Sequence, residues 1–571
     1  MARMEKTVQE LVSDIQRGTI KKPEMQREYV WRATRVRDLL DSLYRGYPSG
    51  TILLWQTSQD VPTSNFAVKT ETANLGNSLL LLDGQQRLTS LSSVIRGEPI
   101  IVREKKKLRS VDILFNLEHP DELLTVTEID DSITTELSDE DDDEEEDYDD
   151  DSLLEKFNQF TFIVSNNQLA GLPNWVNVTQ VFQSTSDAEF LKRAGITSLE
   201  DPLYIKYTER LRRLRDIKKY VYRLDVLEPA LSYEEVTEIF IRVNSLGVKL
   251  RSADLALAQI TAKWNDSLKE FQGYQDKCSE EQGFLFDIGF FIRALVIMAS
   301  SQCKFKRVGA LELNELQNGW IKAKKALDFA LNFLKSNARI TSPVLLTSPF
   351  IVLAIAYWGS VREYKIDKHE SSEMRRWVLI ANTKSRFSGS AETLLDQDLA
   401  MLRDGGNTRD LLDRLEVQFG RLNVTETELV GRRSSSGYFR AMYLAFLEDG
   451  AKDWTTDLAI SLRHSGSEHK LQFHHIFPKA LLRREFPGMR RAQINDISNL
   501  AFIGGKTNRQ IRDKAPADYL VEMLTKREFD SELQKQCIPT EKSLLEQDSF
   551  EEFLKERRRL VAMRINELLE S

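Results

Sequence analysis

Cysteine is nearly missing from this 571-residue chain: only Cys278, Cys303 and Cys537 occur, far apart. That scarcity excludes a cysteine-based zinc knuckle and suits a reducing cytoplasm. No stretch approaches the ~18 consecutive apolar residues that a membrane span needs. The opening MARMEKTVQELVSDI is amphipathic and lacks the apolar centre of a signal peptide. No short internal repeat occurs, so a solenoid or propeller is not expected. A phosphate-binding P-loop is also missing. GGKT at Gly504 to Thr507 copies its end, but Leu500 stands where the first glycine is required.

What is present is ordinary for soluble globular protein, with 41% hydrophobic and 29% charged residues. The length is too great for one core and implies about three domains. Net charge is −9, but the average conceals two opposite regions. Ser138 to Asp151 reads SDEDDDEEEDYDDD, which cannot bury apolar surface and is expected as a disordered insert spanning about 130–152. It either solubilises the chain or screens a basic site. Lys470 to Lys514, by contrast, holds ten Lys/Arg against three Asp/Glu. Such a local excess is what a phosphate backbone requires.

The basic stretch also contains LQFHHIFPKALL and ISNLAFIGGKTNRQ. His474 and His475 end an apolar alternating run, Pro478 follows, and Asn499 and Asn508 fall in two later elements. Alternation puts the two histidines on opposite strand faces. An isolated His-His pair is usually a strand or loop feature with no chemistry. With both asparagines and the proline in register, the pattern resembles the His-Asn-Asn form of an HNH nuclease, the ββα-metal class. The resemblance implies His475 as general base, since a neutral imidazole accepts a proton near pH 7. It implies His474 and Asn508 as ligands of a divalent metal, Asn499 as the residue holding the turn that aims the base, and Pro478 as the end of the first strand. An imidazole is softer than the usual aspartate, so Mn, Co or Ni are accepted as well as Mg. Arg483, Arg484, Arg490, Arg491 and Arg509 are the DNA-contacting candidates, although solvated arginines would look alike. His464 and His469 read as exposed loop residues.

A second pattern lies near the beginning. LLLDGQQRLTSLSSVI runs from an apolar strand through Asp83-Gly84 into a helix whose Leu88, Leu91, Val94 and Ile95 share one face. Free amides at a helix start attract anions, and Arg87 adds charge. On physics alone the stretch is a structural strand-to-helix turn, with Asp83 a cap or a magnesium ligand. DGQQR, PEMQREYVW (Pro23 to Trp31), YRGYPSGTILLW (Tyr44 to Trp55) and FIRVNSLGVKL (Phe240 to Leu250) together resemble the GmrS-type domain of GmrSD, BrxU and SspE. The HNH segment resembles its GmrD-type partner, so both halves are fused here. The resemblance implies a ParB/sulfiredoxin-like core that binds and hydrolyses a nucleoside triphosphate. Asp83, Gly84, Gln85, Gln86 and Arg87 become nucleotide residues, with Gln26 and Arg27 beside them. Asn244 and Lys249 are weaker choices. Trp31, Tyr29 and Tyr47 line a nucleotide pocket or pack in the core.

The expected fold is α+β and multidomain: a ParB-like domain over 1–260, a helical linking domain over 261–430 and a ββα-metal nuclease domain over 431–571. The expected activity is cytoplasmic, nucleotide-regulated, metal-dependent DNA cleavage against phage, with modified DNA as target. A homodimer is compatible with this reading, and membrane association is not part of it. The rival readings are a ParB-like DNA-binding regulator with a degenerate nuclease, and a nuclease toxin with a vestigial nucleotide site. Charge reversal at Arg483, Arg484, Arg490 and Arg491 should weaken DNA binding across sequences and flatten its salt dependence. Unchanged affinity at low salt would reduce the patch to a solvated surface.

Overall fold

A strand without polar alternation must be covered on both faces, and β5 (Ser78–Asp83) is covered in this way. The computed structural model describes residues 2–23, 31–57, 63–64, 78–104, 107–121, 157, 159–165, 167–246, 252–464, 466–525 and 529–570. Gln26, Arg27, Tyr29, Lys249 and the acidic run lie outside them. The chain forms two compact units, Met1–Leu268 and Lys269–Ser571.

In the first unit a mixed six-stranded sheet is ordered β1 (Ala2–Thr7), β11 (Val221–Leu227), β3 (Ile52–Thr57), β5, β2 (Ile20–Pro23), β4 (Thr63–Ser64). β11 runs parallel to β3 and β2 parallel to β5; the other neighbours are antiparallel. Leu81 faces the larger core, with α1 (Val8–Gln16), α2 (Ala33–Arg45), α3 (Gln85–Arg96) and α4 (Pro202–Arg215). Leu80 and Leu82 face the other way, onto Val236 and Phe240 of α5 (Tyr233–Leu246) and Ala258 of α6 (Ser252–Lys263). Full burial of one leucine stabilises by about 1.5–3 kcal/mol. The remaining strands form a β6–β7 pair (Ile100–Glu104 and Lys107–Val111) and a three-stranded sheet, β10 (Trp175–Asn177), β8 (Ile113–Asn116), β9 (Phe162–Val164).

Local chemistry sets the helix ends. Thr7 and Glu10 form a capping box at the start of α1, with Thr7 N–H donating to Glu10 at 2.7 Å and Glu10 N–H to Thr7 Oγ1 at 3.2 Å. Glycine ends α2, because Gly46 sits at φ +76°. Leu88, Leu91, Val94 and Ile95 all point into the core, as their spacing predicts. The amphipathic opening divides: ARMEKT supplies edge strand β1, and helix starts at Val8.

The second unit begins with long packed helices. α7 (Ile288–Ser300) is buried over most of its circumference, as its sequence predicts. It packs on α8 (Leu313–Asn337), where Gly319 permits close approach: a Cβ there would sit 2.9 Å from Ala299 Cβ. α9 (Phe350–Val361), α10 (Lys368–Thr383) and α11 (Gly437–Glu448) follow. Then comes the antiparallel pair β12 (Leu471–His475) and β13 (Leu500–Gly504). α12 (Lys479–Glu485) lies between these strands in sequence, and α13 (Gly505–Ile511) and α14 (Pro516–Leu524) follow them. The last helix, α15 (Phe550–Glu570), packs Phe550, Phe553 and Leu554 into the same core. No helix among the described residues is long and apolar enough to cross a membrane.

His119 is buried in the first unit with both ring nitrogens committed. Nδ1 faces the Pro120 carbonyl at 2.8 Å and carries the proton, so Nε2 accepts from the Tyr44 hydroxyl at 3.1 Å. Burial, with Arg210 and Arg213 nearby, pushes the imidazole down to about 4. A depressed folded pKa means that the unfolded chain binds the proton first. Stability is therefore intact above about pH 6.5 and falls as pH drops toward 4, by about 1.4 kcal/mol per pH unit for this residue. His119→Gln should flatten the pH dependence of the first unit's unfolding transition between pH 6.5 and 5, followed by calorimetry. An unchanged slope would remove His119 as its source.

Candidate nuclease and nucleotide sites

The candidate nuclease residues sit where a strand pair meets a helix. In the β12–β13 register His474 lies opposite Ala501 and His475 opposite Leu500. Asn499 precedes β13 and is fully buried. Its side-chain oxygen accepts from Phe477 N–H at 2.9 Å, and its amide donates to the carbonyls of Phe477 and Ile494, both at 3.0 Å. Its backbone carbonyl accepts from Ile476 N–H at 2.8 Å. One residue thus ties the segment leaving β12 to the segment entering β13. The strand ends at His475, and Pro478 instead occupies the N-cap of α12.

His474 is buried and faces α13, with Nδ1 2.8 Å from Asn508 Oδ1. Its Nε2 lies 3.2 Å from the Tyr519 hydroxyl of α14. His475 is half-buried, and its Nε2 lies 2.9 Å from Asn495 Oδ1. Burial pushes both imidazoles down to about 4; for His475 the Lys479 charge adds to this. Both rings are therefore neutral at pH 7, the form that ligates a metal or accepts a proton.

The glycines of GGKT serve backbone packing. A Cβ on Gly505 would overlap the Ser467 carbonyl oxygen. The first amides of α13 are already used: Gly505 N–H donates to Lys470 O at 3.1 Å and Lys506 N–H to Glu468 O at 2.9 Å. Asp453 braces the turn, accepting from Gly504 N–H at 2.6 Å and Thr507 Oγ1 at 2.7 Å. Burial raises its carboxyl, but hydrogen bonds from Thr456, Gly504 and Thr507 outweigh this and hold it below the ordinary range. From behind, fully buried Arg557 of α15 donates to Ser498 O and Leu500 O, both at 2.8 Å.

Arg483, Arg484, Arg490, Arg491 and Arg509 are all exposed. Arg484 pairs with Glu485 at 2.9 Å, and Arg509 donates to Ser467 O at 2.9 Å. His469 is exposed and His464 half-buried. Among the described residues no group of three or more His, Cys, Asp or Glu converges on a metal position. The donor set at His474 and Asn508 is one imidazole nitrogen and one amide oxygen. That pair fits a divalent ion that completes its shell with water and phosphate oxygens.

In the first unit the DGQQR turn joins β5 to α3. Gly84 is the N-cap at φ +97°, and a Cβ there would meet Ile52 at 3.1 Å. Arg87 is turned back onto the protein: it donates to Ser49 O at 2.6 Å, Thr51 O at 2.8 Å and Asp83 Oδ2 at 3.0 Å. Gly50, at φ +89°, leaves it room, since a Cβ would approach Arg87 to 2.7 Å. Gln85 is buried, and Gln86 accepts from Trp31 N–H at 3.2 Å. Tyr47 is exposed, Ser49 donates to the Tyr222 hydroxyl at 2.7 Å, and Asn244 lies on α5.

Residues 8–261 match the family model of the GmrSD restriction endonuclease, N-terminal domain. The GmrSD match covers nearly all of the first unit and contains the DGQQR turn. Residues 262–571, with the histidine pair, lie beyond it. An uncharacterized protein of Methanocaldococcus jannaschii, MJ0686, is 22% identical over 564 aligned residues, covering 91% of this chain and 87% of its own length.

Sequence reasoning passed over Asn495, Tyr519 and Asp453. Asn495 had a signal, a polar residue four positions before Asn499 in INDISN. Tyr519 and Asp453 reach the site only through tertiary folding. Asn499→Ala would leave three buried backbone groups unpaired at about 1–3 kcal/mol each. Denaturant unfolding should show the second unit destabilised by at least about 3 kcal/mol; wild-type stability would mean that the tie is dispensable.

Proposed function

We propose that this chain is a nucleotide-regulated, metal-dependent DNA endonuclease of the type IV restriction kind, acting on modified phage DNA. The observation that carries the reading is the strand–strand–helix unit of β12, β13 and α13, with His474 against Asn508, His475 at the strand end and Asn499 tying the turn. The match of residues 8–261 to a restriction endonuclease domain supports DNA as the substrate.

In this mechanism His475 takes a proton from the attacking water at Nδ1. Its Nε2–H donates to Asn495 Oδ1, which keeps the lone pair on the other nitrogen and steadies the imidazolium that forms. His474 and Asn508 hold the divalent ion, Mg or Mn. When bound, the ion supplies positive charge to the phosphate oxygens. The exposed arginines of α12 and the following turn contact the backbone phosphates.

The first unit supplies control through the ParB-like core proposed for it. A triphosphate at the Gly84 turn has to draw Arg87 away from the Ser49 and Thr51 carbonyls, or bind beside it. Either way the loop from Tyr47 to Thr51 senses the nucleotide. A ligand shifts the nuclease only if it binds active and inactive arrangements with different affinity.

His475→Ala should lower cleavage by about 10²–10⁴-fold with folding and nucleotide hydrolysis retained. Wild-type cutting by this variant would exclude His475 as base. Arg87→Ala should remove nucleotide hydrolysis and impair phage restriction. The decisive assay is cleavage of modified and unmodified phage DNA with Mg, with a hydrolysable triphosphate, a non-hydrolysable one or none. Equal rates on both DNAs defeat discrimination; equal rates with every nucleotide, and in Arg87→Ala, defeat gating.

A further inference from the structure

Tyr519 has one proton to give and two polar neighbours. Its hydroxyl lies 3.1 Å from the Ile476 carbonyl oxygen and 3.2 Å from His474 Nε2. A carbonyl only accepts, so the phenolic proton goes to Ile476. The phenolic oxygen must then accept from His474, which places the imidazole proton on Nε2. A neutral imidazole has one N–H, so Nδ1 is left with its lone pair. That lone pair faces Asn508 Oδ1 at 2.8 Å, and the oxygen also only accepts. Two acceptors at this separation repel unless a cation lies against both. Adjacent ligands of an octahedral ion with bonds near 2.1 Å stand roughly 3 Å apart, close to the spacing seen.

We propose that Tyr519 is a positioning residue that holds His474 in its Nε2–H tautomer, making Nδ1 the nitrogen that joins Asn508 Oδ1 in binding the divalent ion. The inference rests on the metal-dependent reading above and adds which atom ligates and what fixes it. Tyr519 suits the role because it cannot turn away. It is buried, with its ring stacked on Trp454 at 6.5 Å and edge-on to His474 at 5.8 Å. Trp454 also stands edge-on to His474, at 5.8 Å. The hydroxyl further ties α14 to the backbone just after His475, so ring orientation and strand end are set by one group.

The competing arrangement rotates the Asn508 amide so that its NH₂ donates to Nδ1. The pair would then be a simple hydrogen bond with no call for a cation.

Mn²⁺ binding to the full-length protein, by titration calorimetry and by the resonance of free Mn²⁺, separates the two. Tyr519→Phe keeps the ring and removes the hydroxyl; affinity should fall about 10–100-fold, as for loss of other partners behind a metal-binding histidine. In a His474→Asp background position 474 has no tautomer to fix, so adding Tyr519→Phe should change affinity little. Wild-type affinity in Tyr519→Phe overturns the assignment, as does an equal penalty in both backgrounds. If Tyr519→Phe does not fold, ¹⁵N-histidine-labelled wild-type protein gives the answer directly. His474, assigned by its loss in His474→Asp, should show an unprotonated Nδ1 that shifts with a diamagnetic divalent ion; a protonated Nδ1 overturns the proposal. Failure of the wild type itself to bind Mn²⁺ rejects the metal-dependent reading as well, whereas binding that ignores Tyr519 rejects only this inference.

Discussion

A single buried amide, Asn499, governs the geometry around the two histidines of the second unit. The chain leaves β12 at His475, makes a helix and two turns, and returns as β13 only at Leu500. Nothing in that excursion fixes by itself where the strand end points. The Asn499 side chain does, by answering the N–H and C=O of Phe477 and the carbonyl of Ile494. Buried backbone groups must find partners, so the excursion is held to one conformation. Arg557 secures the same turn from behind through Ser498 and Leu500. Asp496 receives Gly431 N–H and Arg558, both at 2.7 Å, at its outer edge. The imidazoles are thus aimed by a frame that none of them builds.

The DGQQR turn follows a different principle. Its strand, β5, is buried on both faces at Leu80, Leu81 and Leu82, so the turn begins from a fixed point. Its positive residue is spent internally: Arg87 closes a loop whose glycine at position 50 exists to let the guanidinium pass. The arginines of α12 and the next turn in the second unit are deployed the opposite way, left at the surface.

Much of this was legible because it was periodic or local. The leucines of β5 and the apolar face of α3 announced burial on the correct sides. The two histidines, two asparagines and the glycine pair marked strand, turn and helix in order. What escaped was of another kind. Tyr519 and Asp453 are isolated polar residues in unremarkable stretches, 45 and 21 residues from His474 (519 − 474 = 45; 474 − 453 = 21), and only folding brings them to it. Arg87 was expected to offer its charge to a ligand, yet the carbonyls of Ser49 and Thr51 lie 38 and 36 residues away and leave no trace in the DGQQR motif. ARMEKT gave no strand signal, because an edge strand exposed on both faces carries no alternation.

Pairing of β1 with β11 has a consequence in time. Residues 2–7 meet partners at 221–226, so they wait for more than two hundred residues to be translated before the sheet can close. The histidine strand starts 244 residues after β11 ends (471 − 227 = 244). At roughly 5–20 residues per second, about 12–50 s separate the two events on the ribosome. Domains generally fold as units during synthesis, N-terminal first. The unit bearing the DGQQR turn therefore has time to assemble before the histidine strand has been made, and each newborn molecule completes its first core before its second begins.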